Sequence, residues 1–474
     1  MHLPTRLITA WLSLSLLAAC AAPDTGPRAA LHGGSALRSQ QTLGKVTLSP
    51  AAWPAARWWE RYGDPQLNAL VAEALARNPS LNVAAARVRQ AEALSGRAEA
   101  AGAPQLGFSE RSQRQRFSEH GTTAPPVAGS WKWVNEAGVN GSYELDFWGK
   151  NRAAIEAAVG LTHAVEADAR AAQLVLVTSV LRSYVGLQQA WTERDIAAAE
   201  LDQRQHLLLL VRQRVAARID SAVELKQAEA LVPAARLQIA RLDEAIQLRQ
   251  AELGALAGQG PDRGLALGRP ALLESHAALL PTDLPAELVG RRPDVVAQRW
   301  RVEAAGHDIA AARAQFYPNI SLTGLIGLQS ITFSNFDLGG SRIGAFGPAL
   351  SLPIFDGGRL RSNLDGRDAD YDLAVEQYNA TVIEALRDVV SQLVSIRAID
   401  GQRALQREAA ETTGQALQLA LQRYQAGVGN YLQVLAAQLQ LLAIRRQQSD
   451  LDMRALQADI ALARALGGGV MPRG

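Results

Sequence analysis

One structural plan is written twice along this chain, and that duplication restricts the fold more than any single motif does. Asp64 to Ala93 reads as helix and is answered by Asp283 to Ala314. Ala103-Pro104-Gln105-Leu106-Gly107 is answered by Tyr317-Pro318-Asn319-Ile320-Ser321. In both, proline ends a helix and an extended segment begins, since the residue before a proline is driven out of the helical region. The stretch 141–149 then finds its partner in 348–358, each leading into a long helical run. From Lys150 to about Ala217 there is no proline and there are only two glycines, Gly160 and Gly186, in a background of Ala, Leu, Gln, Arg and Glu. A helix of about 68 residues rises roughly 100 Å, far more than a compact globular domain requires. A return helix follows from about Ala222 to Leu256, with Pro233 as a site for a kink. The second half supplies a long helix from about Leu360 to Ala426 and a return helix from Tyr431 to Leu466.

Alternation within the strands indicates what each face meets. Between residues 131 and 147 the odd positions include Trp131, Trp133, Val139, Tyr143, Leu145 and Phe147, and the even ones Lys132, Glu136, Asn140, Ser142, Glu144 and Asp146. One face is greasy and the other wet. A soluble sandwich alternates in the same way. About 15 residues, however, exceed the ~9 to 11 that a barrel strand needs to cross a bilayer, and Trp131 and Trp133 stand where interface aromatics belong. Ile320, Leu322, Ile326 and Leu328 alternate less cleanly, with Gly324 and Gly327 permitting curvature. Four strands cannot close a barrel, and open edges in lipid are prohibitive, so several copies must share one. A homo-oligomer is expected.

The N-terminus agrees with export. Arg6 precedes the apolar run Leu7 to Leu17 and then Leu17-Ala18-Ala19-Cys20, too short a run for a membrane span but right for a leader. Cleavage just before Cys20 with acylation of its thiol is one reading; ordinary cleavage among Ala18 and Ala19, with Cys20 incidental, is the other. Cys20 is the only cysteine, so no internal disulfide can form. Ala21 after it favours the outer membrane as destination, by similarity to sorted lipoproteins. Forty-eight basic against 46 acidic residues give +2, which provides no strong field for nucleic acid. No phosphate-binding P-loop, HExxH or GxSxG is present, and no metal cluster or cofactor motif stands out.

Five motifs, in order, resemble the TolC-like outer-membrane factor family, in its NodT-like efflux lipoprotein branch. They are Trp58-Trp59-Glu60 with Asp64-Pro65, Tyr143-Glu144-Leu145-Asp146-Phe147-Trp148-Gly149, Arg291-Arg292-Pro293-Asp294-Val295, Pro353-Ile354-Phe355-Asp356-Gly357-Gly358-Arg359, and Ala465-Leu466-Gly467-Gly468-Gly469. The resemblance implies a mostly α fold with a membrane β part: a trimeric α-helical barrel of long antiparallel hairpins continuous with a shared 12-strand outer-membrane β-barrel, four strands per protomer. The expected layout is a leader at 1–19, a lipidated segment at 20–63, a first repeat at 64–260, a linker at 261–282, a second repeat at 283–466 and a tail at 467–474. It also implies a homotrimer in the bacterial outer membrane, in contact with its lipid and extending into the periplasm. A periplasmic adaptor and an inner-membrane pump of the resistance-nodulation-division or major-facilitator type would complete the system, which conducts small toxic or amphipathic compounds outward. A protein-secretion duct and a periplasmic adaptor lipoprotein are the alternatives, and an exported enzyme on a coiled-coil scaffold lacks a catalytic constellation.

The resemblance places a gate at the hairpin tips, around residues 218–224 and 424–433. Tyr424 falls on the family's tyrosine and Glu224 on an acidic position of the facing hairpin, so a tyrosine–carboxylate latch or ordinary packing of Tyr424 are both open. Gln433 stands near where many relatives carry paired aspartates, which weakens the case for an anionic ring. Gly427 and Gly429 are expected to supply a positive-φ turn, while the other tip has Arg218 where glycine is common. Arg218, Asp220, Gly427 and Gly429 are candidate adaptor contacts; solvated charges are the plainer reading of Arg218 and Asp220. The run Gly467–Gly469 reads as a helix stop before a mobile tail.

Overall fold

The computed structural model describes residues 29–31, 53–271, 273–274, 290–336 and 339–469. Helices α1 (Pro65–Arg77) and α2 (Pro79–Ala101) lead to strands β1 (Gln105–Arg116) and β2 (Trp131–Leu145), then to α3 (Lys150–Ala216), α4 (Ala222–Leu256) and the short α5 (Pro261–Leu265). The plan then repeats as α6 (Pro293–Ala314), β3 (Asn319–Ser330), β4 (Arg342–Ser351), α7 (Arg359–Gln425) and α8 (Tyr431–Ala465). The two long helices are 67 residues each and the two return helices 35 each. The duplication therefore holds residue for residue from Lys150, matched by Arg359, to Leu256, matched by Ala465.

Both helices expected at the heads of the repeats need correction: of Asp283–Ala314, residues 283–289 lie outside the described residues and Arg292 is not helical, so α6 begins at Pro293. The single helix expected at 64–93 is two, because Pro79 holds Asn78 extended (φ −65°, ψ 125°) and Asn78 Oδ1 then accepts the Ser80 amide, starting α2 afresh. Gly467–Gly469 ends α8 as expected and is itself packed, while residues 470–474 of the expected tail lie outside the described residues. All three have positive φ, and a β-carbon on them would meet Arg291 O at 2.6 Å, Leu174 Cδ1 at 2.2 Å and Ala55 O at 2.0 Å. The run is a packed clasp that only glycine fits. Pro233 lies inside α4, which continues past it.

The chain forms two compact units, each drawing on both repeats. The first, built from 87–166 and 297–378, contains the sheet. Its order is β1-β2-β3-β4, antiparallel throughout, so β1 and β4 are its edges. The registers pair Phe108 with Val139, Val139 with Ile326, Tyr143 with Leu322, and Ile320 with Leu350, which gathers the apolar side chains on one face. That face is unburied by the chain itself: Phe346 is 83% exposed and Ile326 71%. The opposite face pairs Arg111 with Glu136, Glu136 with Gln329, and Ser142 with Thr323. Trp131 and Trp133 are exposed at the loop end of β2, Trp133 tilted against Phe333 at 5.8 Å. At the helix end Trp148 stacks on Tyr317 at 4.8 Å, its indole N–H donating to Pro318 O at 2.8 Å. No described helix is long and apolar enough to cross a membrane.

The second unit has its main core around Trp58, Leu67, Leu70, Leu181, Tyr184, Leu253 and Ile460. Buried Asp64 organises it. Its Oδ1 accepts the Gln66 and Leu67 amides, capping α1, and its Oδ2 accepts the Tyr184 hydroxyl at 2.6 Å and the Ala271 amide at 3.2 Å. Every acceptor direction is thus used, which is how a carboxylate can be 3% exposed.

Candidate functional site at the hairpin tips

The tips of both hairpins lie in the second unit, and the duplication gives them one backbone. At the end of α3 the Ile219 amide donates to Arg214 O and the Arg218 amide to Val215 O. At the end of α7 the Val428 amide donates to Arg423 O and the Gly427 amide to Tyr424 O. This pair of bonds is the Schellman closure, which needs a left-handed residue. Gly427 supplies it with φ 78° and Arg218 with φ 60°, whereas Gly429 does not have positive φ. Of the two glycines expected to make the turn, only Gly427 does so.

The return helices are capped alike. Ser221 and Glu224 form a capping box at the start of α4, with Glu224 Oε2 accepting the Ser221 amide at 3.0 Å. Asn430 Oδ1 accepts the Gln433 amide at 3.0 Å at the start of α8. Glu224 and Gln433 occupy the same third position of their helices. Bonds from Ser221 hold the Glu224 carboxyl below the usual carboxylate range.

That cap decides which carboxylate faces the tyrosine. The Tyr424 hydroxyl donates to Asp220 Oδ2, not to Glu224. The expected Tyr424–Glu224 pairing is therefore replaced, because Glu224 is committed to its own helix start while Asp220, four residues earlier, projects from the tip. Arg214, which sequence reasoning passed over, completes the group. Its Nε donates to Asp220 Oδ2 at 2.9 Å and its Nη2 to Asp220 Oδ1 at 3.2 Å. Its Nη1 donates to Tyr424 O at 2.8 Å, and the guanidinium lies 4.3 Å from the Tyr424 ring centre. Such a fork is geometrically specific. A useful signal was the spacing of Arg214 and Asp220 around the helix end, where a basic side chain can reach both the last carbonyls and a residue just beyond them.

Tyr424 is fully buried, among Val211, Leu417, Tyr431 and Val434. Burial first, and then the bond to Asp220, push its hydroxyl well above the ordinary range, so it remains a donor. Burial opposes ionisation of Asp220, but the bonds from Arg214 and Tyr424 outweigh it and hold that carboxyl low. Arg214 is raised, chiefly by its bond to Asp220. The group is thus a charged pin tying the first hairpin to the second within one chain. Around it Ile219, Val223, Val428 and Leu432 are exposed, and Ile219 corresponds to Val428 and Val223 to Leu432 under the duplication. Arg218, Gly427 and Gln433 are exposed too, and Gly429 half-buried. Cys20 lies outside the described residues.

An edge-open sheet with one apolar, exposed face, joined to paired helical hairpins with a pinned tip, defines an outer-membrane channel subunit. The comparisons make the assignment specific: the outer membrane efflux protein family profile matches residues 70–259 and 284–468, and the chain belongs to that family. The chain is 40% identical over 368 residues to the fusaric acid resistance protein FusA of Burkholderia cepacia, covering 77% of this chain and 69% of that protein. It is 32% identical over 432 residues to the multidrug resistance outer membrane protein MdtP of Escherichia coli K12, covering 90% and 88%. Among solved structures, the outer membrane protein VceC of Vibrio cholerae superposes with a TM-score of 0.82 at 37% identity, covering 88% of this chain and all of that one. The chain is an outer-membrane efflux protein with the TolC-like fold, and its family's role is transport.

Proposed function

We propose that three copies of this chain form a passive, non-catalytic exit duct that receives small toxic or amphipathic compounds from an inner-membrane pump through a periplasmic adaptor. The observation that carries the reading is the sheet. Its β1 and β4 edges are free of strand partners among the described residues, and its apolar face is exposed. In hydrocarbon each unpaired backbone group costs several kcal/mol, so the edges must pair with other copies, and three copies of four strands give twelve. Trp131 and Trp133 then serve as outer interface aromatics.

The Asp220–Arg214–Tyr424 pin is the periplasmic gate in this reading, with Glu224 and Gln433 framing it as helix caps. Exposed Ile219, Val223, Val428 and Leu432, with Arg218, Gly427 and Gly429 beside them, form the adaptor contact. Resistance roles named for FusA and MdtP support a cargo of small toxic molecules, with the pump making the main selection. The segments 64–260 and 283–466 act as the repeats, 261–282 as their linker. Acylated Cys20 holds protomers at the membrane until they assemble; since the barrel is integral, the lipid adds little permanence. Detergent extracts of outer membrane should show heat-labile trimers, and Cys20→Ser should slow their appearance while leaving channel function intact. Folded monomers released to the periplasm would overturn the barrel reading.

A further inference from the structure

Away from the tips, the second unit contains a groove of about 630 Å³ walled by α3, α4, α7 and α8. Its lining is basic: Arg182, Arg249 and Arg454 face one acidic residue, Glu252. Arg249 is neutralised, its Nη1 lying 2.8 Å from Glu252 Oε2. Arg454 reaches Asp450 only at 3.9 Å. Arg182 has no carboxylate partner among the described residues. Burial and then the neighbouring guanidinium of Arg464 pull it below its ordinary range. An anion in the groove would relieve both effects.

A second observation concerns a residue that lines the same space. The hydroxyl of Ser183, a groove-lining residue 4% exposed, has no hydrogen-bond partner among the described residues. A buried hydroxyl left unpaired costs about 1–3 kcal/mol, and a rotation of the Ser183 side chain toward the groove would let a ligand oxygen satisfy it. Gly186, one turn further along α3, keeps room for this: a β-carbon there would sit 3.3 Å from Arg249 Nε. Ile399, Ala458 and Ala461 add an apolar floor.

We propose that this groove binds small organic oxyanions, carboxylates or phosphate esters carrying a compact apolar body, and so favours anionic members of the duct's cargo. The guanidinium of Arg182 pairs with the oxyanion, Arg454 provides a second charge, Ser183 donates its hydroxyl, and the floor receives the apolar part. The cargo clause rests on the duct reading; the binding clause stands by itself.

The test uses the full-length protein in its native detergent-extracted assembly, with equilibrium dialysis of labelled salicylate. Saturable binding is expected, weakened about tenfold in Arg182→Gln and in Arg454→Gln by loss of one charge-assisted contact. Ser183→Ala, which removes only an unpartnered hydroxyl and so spares the fold, should weaken binding several-fold. No saturable binding, or equal binding by wild type and all three variants, overturns the proposal, as does inorganic phosphate binding as tightly as salicylate. In cells, the arginine variants should lower resistance to salicylate several-fold and leave ethidium resistance unchanged; equal losses for both compounds overturn selectivity. A deletion that alters susceptibility to neither compound refutes the duct reading and leaves the dialysis result to decide the site.

Discussion

Tyr424→Phe removes one hydroxyl and nothing else from the tip, so it isolates what the pin contributes to the proposed closure there. The lost bond is to an ionised carboxylate whose side chain, like that of its Arg214 partner, is 10% exposed. Hydrogen bonds to charged groups contribute about 1.5–3 kcal/mol. The lower figure fits a site near the tip surface and shifts the closed-to-open ratio about tenfold per protomer. That is a ceiling, since the bond persists to whatever extent the two hairpins move as one body. Asp220→Ala should act more strongly, by about 3 kcal/mol, because it also leaves the Arg214 guanidinium buried without its carboxylate. Single-channel conductance in planar bilayers reads the difference directly: rare brief openings in wild type, frequent ones in Tyr424→Phe, and prolonged ones in Asp220→Ala. Glu224→Ala, which disturbs only a helix cap, should match wild type. Wild-type conductance in both pin variants, or opening by Glu224→Ala as large as that by Asp220→Ala, would show that closure does not depend on this group.

Other perturbations test the rest of the structure. Asp220 has a lowered pKa when folded, so its stabilisation is complete above the unfolded value near ~4 and declines as pH falls through and below it; conductance should be flat from about pH 5 to 8 and rise below about pH 4. Ile326→Arg, on the apolar face, should cost about 2–4 kcal/mol near the bilayer centre and lower the temperature at which trimers dissociate on gels, while Thr323→Arg, on the opposite face, should not. Gly469→Ala should prevent stable assembly, since its β-carbon would fall 2.0 Å from Ala55 O, whereas Gly401→Ala, with open space around it, should be neutral or slightly stabilising by the same gel assay.

Regular features were legible because each rests on local rules. Proline exclusion and composition placed α3, α7 and α8, and composition alone α4 across its interior Pro233, to within a residue or so of their observed ends, and period-two alternation identified the apolar face of β2 before any pairing was known. What sequence could not supply was commitment of a side chain to one of several partners. Glu224 and Asp220 are both acidic residues at one tip, and only three-dimensional placement reveals that the first is used by Ser221 and the second by Tyr424 and Arg214. The close packing of the glycine run at 467–469 was hidden for a related reason: a flexible residue and a residue required by close backbone approach are spelled alike. Ser183 and Arg182 drew no notice because an unpaired hydroxyl or cation is visible only once its surroundings are.

The duplication also explains why the pin has its composition. Two hairpins of identical length and closure offer matching positions, yet a pin needs different residues on its two sides. It has arisen where the copies diverge. Tyr424 stands opposite Val215, and Asp220 opposite Gly429, under the same alignment that matches Arg218 to Gly427. The exchange is not free in both directions, because a β-carbon at Gly429 would lie 3.0 Å from Tyr424 N and 3.1 Å from Arg423 C. The carboxylate therefore belongs on the first tip and the tyrosine on the second. The first tip bears a further cost, Arg218 in a left-handed conformation that disfavours a side chain by roughly 1 kcal/mol. Arg218→Gly should therefore stabilise the closed tip slightly and leave the pin in place. If it opens the channel instead, the Arg218 side chain itself bears on closure, and the gate extends beyond the three residues of the pin.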